Sequence, residues 1–398
     1  MRPSGITPTH IAAFLLLVAA TLVLSGYTPP PLFRQDLNLQ PAETCKNCHL
    51  DISEQWQRSA HSKAERSNNQ LFGRMYWQSL RITRGATMIN CGPCHESATF
   101  VNQDFNSIRE VSREGVTCVF CHMVSGPGPS TGNPPFELDL TRYHGTVRQP
   151  VPTPSHQSGY SAFYTSSDYC GACHSYKNQN GVVISETLAE WKASRYPKQG
   201  LTCQKCHMPG GPGRISLEGP PRPRVANHSF DHAILSQARP NAAATVTLRG
   251  TRSGKDSLRV SVVVANTGWG HSLPTGNDQN LALIRLRVLS ASGSIVWEND
   301  PFADWNTSIF GVILGDELGT WPAETWTATK VITNRRIKAG ASATARYRIP
   351  VGSHEGPYRV EAQLLFRRAR PQTIEAYGLD NEVYGAERVL AEASLRVP

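Results

Sequence analysis

The residues of this chain best able to do chemistry are its ten cysteines, and they occur in one arrangement only. They fall as Cys45-Lys-Asn-Cys48-His49, Cys91-Gly-Pro-Cys94-His95, Cys118-Val-Phe-Cys121-His122, Cys170-Gly-Ala-Cys173-His174 and Cys203-Gln-Lys-Cys206-His207. None is left over. Two thiols separated by two residues, followed at once by an imidazole, share one turn of chain. That set fits a c-type haem, whose two vinyl groups take up the thiols and whose iron takes the histidine on its proximal face. Histidine makes up 13 of 398 residues. Five CxxC pairs all followed by it would therefore arise by chance at roughly one in ten million or less. Zinc ribbons need two pairs per metal and no histidine after each, and a redox CxxC belongs in a strand-helix unit not seen here. Five covalent c-type haems are the expectation. Their thioethers consume every cysteine, so no structural disulfide remains.

The elements that position these motifs lie between about residues 29 and 238, a segment rich in Pro, Gly, Ser and Asn with few long apolar periodic stretches. Alone it would bury too little surface to offset chain entropy, so the porphyrins are expected to supply the missing core. The spacing predicts helix around 53–80 and over 186–196, each beside a CxxCH site. The runs TLAEWKASRYPKQGLTCQKCHMP (187–209), EQWQRSAHSKA (54–64) and GVTCVFCHM (115–123) resemble multihaem c-type cytochromes of the cytochrome c-554 class, over roughly residues 40–235. The resemblance implies closely packed haems, most irons held by two histidines, and electron transfer outside the cytoplasm.

Whether the second face of each iron is closed decides between carrier and catalyst, because closed low-spin iron exchanges electrons with little rearrangement and open iron binds small molecules. Removing the five motif histidines leaves His10, His61, His144, His156, His228, His232, His271 and His354. His10 falls in an export signal and His354 in an ordinary turn, GSHEGPY. His61 and His156 stand where the resembled class carries distal ligands. His228 and His232, in NHSFDH, form an i, i+4 pair able to serve two neighbouring haems. These four are the expected distal ligands, and His144 and His271 contend for the remaining vacancy. Met75 and Met88 are weaker rivals.

Beyond Ala238 cysteine is absent, and alternating apolar runs take over at 243–250, 257–266, 281–289, 294–298, 325–333, 343–349 and 358–368. Seven such runs with turn signals between them, and a last one near 389–397, predict an all-β immunoglobulin-like sandwich. The fold expected is thus multidomain: an export signal or anchor over 1–28, a mainly α and irregular haem-packed module over 29–238, and the sandwich with a C-terminal extension over 239–398. Asp300, Asp304 and Asp316 read as turn-forming acids, with a bound calcium the weaker alternative. His271 sits in NTGWGHSLPTG, the turn leaving the second run. GHxxPTG turns of this kind accompany the resembled class, which implies a role shared with the haems.

The apolar run Ile11–Leu24 marks export to the periplasm or cell surface, by a cleaved signal or as an N-terminal anchor. The formal charge of +9 does not imply nucleic-acid binding. Five haems bring about ten propionate charges, partly offset by iron, so the holoprotein is expected near neutrality. Arg81, Arg84, Lys198 and Lys205 are candidates to pair with them. The expected partners are redox proteins, including a membrane-associated donor or acceptor. Three functions fit: an electron-transfer protein, an oxidoreductase acting on a small nitrogen or sulfur compound at an open haem, and a structural subunit of an extracellular haem filament or porin-cytochrome complex. Pentahaem nitrite reductases place a lysine in one motif, and all five motifs here end in histidine.

Overall fold

A computed structural model describes residues 37–128, 136–230, 243–352 and 356–398. His10, the run Ile11–Leu24, His232, His354 and the expected boundary at 238 lie outside them. Among the described residues no helix is long and apolar enough to cross a membrane.

The N-terminal part consists of short helices and two-stranded ribbons, and each CxxCH motif lies on or at the end of a helical turn: Ala42–Lys46, Ala86–His95, Cys118–Met123, Ser167–Gly171 and Cys203–His207. The backbone shows why the spacing works. The His49 N–H donates to the Cys45 carbonyl at 2.9 Å and that of His174 to the Cys170 carbonyl at 3.0 Å, so one α-turn spans first thiol to imidazole. Thr117 starts the third turn by accepting from the Phe120 N–H.

The helix expected over 53–80 is two helices, Leu50–Arg58 and Gln70–Ile82. Polar side chains in the intervening SAHSKAERSNN compete for the backbone. Ser62 donates to the carbonyls of Gln57 and Ser59, both at 2.9 Å, and Asn69 caps the second helix through Phe72 N–H at 3.0 Å. His61 stands in this break. The helix expected over 186–196 is shorter, Thr187–Lys192.

The C-terminal part is β-rich and holds two antiparallel sheets. One orders Ser342–Pro350, Ser257–Ala265 and Thr245–Arg252; the other orders Ile295–Glu298, Leu281–Leu289, Tyr358–Arg367 and Arg388–Val397, with Ile309–Phe310 added to Leu281–Leu289. Period-two alternation turns Leu258, Val260, Val262 and Val264 to the same side, where they share a core with Ile284, Leu286, Val360 and Leu364 of the other sheet. The strand expected over 325–333 is displaced: residues 330–334 pair with Val312–Gly315 in a separate ribbon the pattern did not signal.

The two parts share cores. Val182 and Ile184 of an N-terminal ribbon pack with Val312, Leu314 and Ala328, while Leu71 and Met75 pack against a cluster containing Trp326, Ile374 and Tyr377. Asn178 donates to the carbonyls of Thr325 and Ala328 at 2.8 and 2.7 Å. Nearby, Arg370 and Asp278 form an ion pair at 3.2 Å, each side chain about 1% exposed. Asp300 and Asp316 accept from backbone N–H groups two and four residues on, and Asp304 carries the start of a helical turn; among the described residues no group of three or more metal-binding side chains forms.

Candidate haem-binding site

A connected cavity of about 3820 Å³ runs through the N-terminal part, and every cysteine and histidine of the five motifs lines it. An ordinary small-ligand pocket holds about 300–1,000 Å³. The space fits several large groups, and its walls are largely apolar, as porphyrins require. The β-rich part closes one side with Trp269, Gly270, His271 and Trp326.

Thiols of different motifs lie near one another: Cys45 near Cys118, Cys94 near Cys173, and Cys170 near Cys203, each close enough to shift its neighbour's ionisation. The first motif therefore neighbours the third, the second neighbours the fourth, and the fourth neighbours the fifth. This spatial order differs from the order along the chain.

The imidazoles supply the test of fit. Four motif histidines each face a second histidine: His49 and His156 at 6.2 Å between ring centres, His174 and His61 at 6.2 Å, His122 and His228 at 6.4 Å, His207 and His271 at 6.3 Å. A metal bonded to two imidazoles at about 2 Å, each ring centre about 1.1 Å farther along the same line, holds the centres about 6.3 Å apart. The four gaps match one iron each. Ring pairs without a metal span the same range, from Phe72 on His95 at 4.1 Å to Phe136 and Phe163 at 6.4 Å, so what sets these four contacts apart is that each joins a motif imidazole to a second imidazole.

Backbone carbonyls orient these rings. His49 Nδ1 lies 2.8 Å from the Ile215 carbonyl, His122 Nδ1 2.7 Å from His144, His228 Nδ1 2.9 Å from Ala226 and His271 Nδ1 3.0 Å from Ser272. A carbonyl can only accept, so each Nδ1 carries the proton and leaves Nε2 as the free electron pair. Burial acts in the same sense. It pushes His61 down to about 3 and His95 and His228 down to about 4, and it lowers His122, His174 and His271 as well. Neutral imidazole is the form that binds metal.

His144 and His271 both line the cavity but stand in different surroundings. His144 faces no motif ring; its Nε2 bonds Asp139 at 2.9 Å, and its carbonyl instead orients His122. His271 faces His207. Its turn is held by Asn266, whose Nδ2 donates to the His271 carbonyl at 2.8 Å and whose Oδ1 accepts from Trp269 N–H at 3.2 Å. Tyr196 donates to the Gly268 carbonyl at 2.7 Å, and a side chain on Gly270 would reach Trp191 at 3.4 Å, so the turn fits closely against the helix ahead of the fifth motif.

His95 has no second imidazole opposite it among the described residues; it hydrogen-bonds the Ala64 backbone. His232 lies outside them. Of the four basic residues expected near propionates, Lys205 lines the cavity and Arg81 and Arg84 are exposed outside its lining, as is Lys198. Arg148, Arg222, Arg224, Arg368 and Arg388 line it without having been signalled, because no local pattern distinguishes an arginine at the cavity from one elsewhere on the surface.

A family model described as cytochrome c554 and c-prime matches residues 44–123. Among solved structures the chain is similar to a penta-heme cytochrome c552 from Thermochromatium tepidum, with TM-score 0.70 and 22% identity over 90% of this chain and 98% of that one. A second likeness, to the C-terminal domain of wzt, has TM-score 0.21 and 10% identity over 40% of this chain and 75% of that one, too slight to bear on the fold. No curated protein matches the chain. The 0.70 likeness covers 90% of the chain and shows the fold: this chain folds as that cytochrome does, and its C-terminal region is β-rich.

Proposed function

We propose that the protein carries electrons through five covalently attached c-type haems, four of them closed by the pairs His49–His156, His174–His61, His122–His228 and His207–His271. The observation that carries this is the common 6.2–6.4 Å separation of the four pairs. Each iron so held has no position left for substrate, and it changes oxidation state with little rearrangement. The ten cysteines form the thioethers, and the nearness of thiols from different motifs supports haems close enough to pass electrons singly. The apolar run Ile11–Leu24 supports export, and the partners in this reading are redox proteins on the far side of the membrane or at its surface. We read the paired sheets as an immunoglobulin-like sandwich, supported by the shared core of alternating residues.

A second reading attaches to one place. The haem of the second motif has His95 on one side, and His232 is its proposed second ligand; should that face be open, it is where a small nitrogen or sulfur compound would react. Paramagnetic resonance on the oxidised holoprotein, calibrated by a pyridine haemochrome count, tests both. Five low-spin haems support a pure carrier. Four low-spin and one high-spin support an open second-motif haem, and fewer than four low-spin haems refute the imidazole pairs.

A further inference from the structure

We infer that Glu190 is a positioning residue for His271 and that, through it, docking of the β-rich part controls whether the iron of the fifth motif is closed. This rests on the proposed His207–His271 pair. Glu190 lies on the helix Thr187–Lys192 of the N-terminal part, and its carboxylate is spent on the turn across the boundary. Oε2 accepts from the Ser272 N–H at 3.1 Å and from the Thr275 hydroxyl at 2.6 Å. The same Ser272 supplies the carbonyl that accepts from His271 Nδ1 at 3.0 Å. One residue thus takes the carboxylate on its N–H and the imidazole on its C=O, and moving the first moves the second.

Arg336 completes the arrangement. Its Nη1 lies 3.8 Å from Glu190 Oε1, with the two side chains 4% and 9% exposed, and its Nη2 donates to the Gly276 carbonyl at 2.8 Å. A carboxylate and guanidinium placed for their own stability would face each other in a two-bond fork. Here Glu190 Oε1 and Arg336 Nε have no hydrogen-bond partner among the described residues. Both side chains are aimed at the turn instead: Glu190 accepts from Ser272 and Thr275 on either side of Pro274, and Arg336 donates to Gly276 beyond it. A metal-imidazole bond tolerates misplacement of only about 0.5 Å, so a ligand borne on a turn needs such support.

The test uses the haem-loaded full chain and its H271A, E190A, E190Q and T275V forms. Readouts are the low-spin resonances and carbon monoxide uptake after reduction. H271A is expected to convert one haem to high spin and add one equivalent of carbon monoxide per chain. E190A should open the same haem in part and leave the others unchanged, while E190Q, which keeps an acceptor for Ser272, should restore most of the closed signal. In the H271A background E190A should add nothing, because both act on one bond. If E190A does not fold, T275V, which removes one bond to the carboxylate, should raise uptake at that haem alone. If H271A leaves every haem low-spin, the pair itself fails. If H271A opens a haem and neither E190A nor T275V changes uptake or resonances, the positioning role is overturned.

Discussion

Gly115 carries a specific prediction about the His61–His174 pair. Its φ is +73°, and a Cβ built on it would stand 2.4 Å from the His61 carbonyl oxygen and 2.9 Å from Ala64 N. Both obstacles are backbone, in the break between helices that holds His61, and neither can turn aside. The next residue ties the same carbonyl, since Val116 N–H donates to His61 O at 2.9 Å while its own carbonyl accepts from Trp56 Nε1 at 2.9 Å. In G115A, left-handed backbone costs about 1–2 kcal/mol, and overpacking adds about 1–3 kcal/mol. The sum is about 2–5 kcal/mol. Relief requires the His61 segment to withdraw, so the loss should appear both in a urea midpoint followed in the haem absorbance and as altered low-spin resonances from one haem. G270A serves as the contrast: beside His271, its methyl would meet Trp191 and Tyr196 at 3.4 and 3.5 Å, ordinary contact, and it should be nearly silent. A G115A protein with native midpoint and native resonances would refute the reasoning.

Two further outcomes follow from buried charges. D278A leaves Arg370 charged and unpaired at about 1% exposure. It should cost about 3–5 kcal/mol in denaturant unfolding, and a loss under 1 kcal/mol would show the guanidinium satisfied by the Asp278 and Val312 carbonyls alone. Glu114 accepts the Ala42 N–H through both oxygens, at 2.8 and 3.1 Å, and burial raises it from 4.5 to about 7. The folded chain thus holds a proton that the unfolded chain releases. This contribution is fully present below the unfolded value near 4.5 and is lost as pH rises through about 7. E114Q should flatten that slope and gain relative stability above neutrality; an unchanged slope between pH 4.5 and 7 would count against it.

The CxxCH motifs were legible because their geometry is local: one α-turn carries two thiols and an imidazole, and nothing distant can alter that spacing. The strands of the two sheets were legible for a similar reason, since period-two alternation survives wherever one face is buried. The helix break at 59–69 was not, because its polar residues suit a surface helix as well as a capped turn until Ser62 and Asn69 choose their partners. Residues 312–315 were missed because that strand is buried throughout and does not alternate.

The candidate second ligands divide sequence from structure most sharply. Eight histidines remained after the motifs were counted, and the chain alone could rank them only by neighbourhood. His144 and His271 looked alike. What separates them is the partner of each ring: Asp139 engages the ring of His144, while the Ser272 carbonyl accepts from the ring of His271, which stands opposite His207. A bond to iron along the chain needs only a fixed spacing, which sequence contains. A bond from the opposite side needs two segments far apart in sequence to arrive about 6.3 Å apart, and only the tertiary structure brings residue 271 to residue 207.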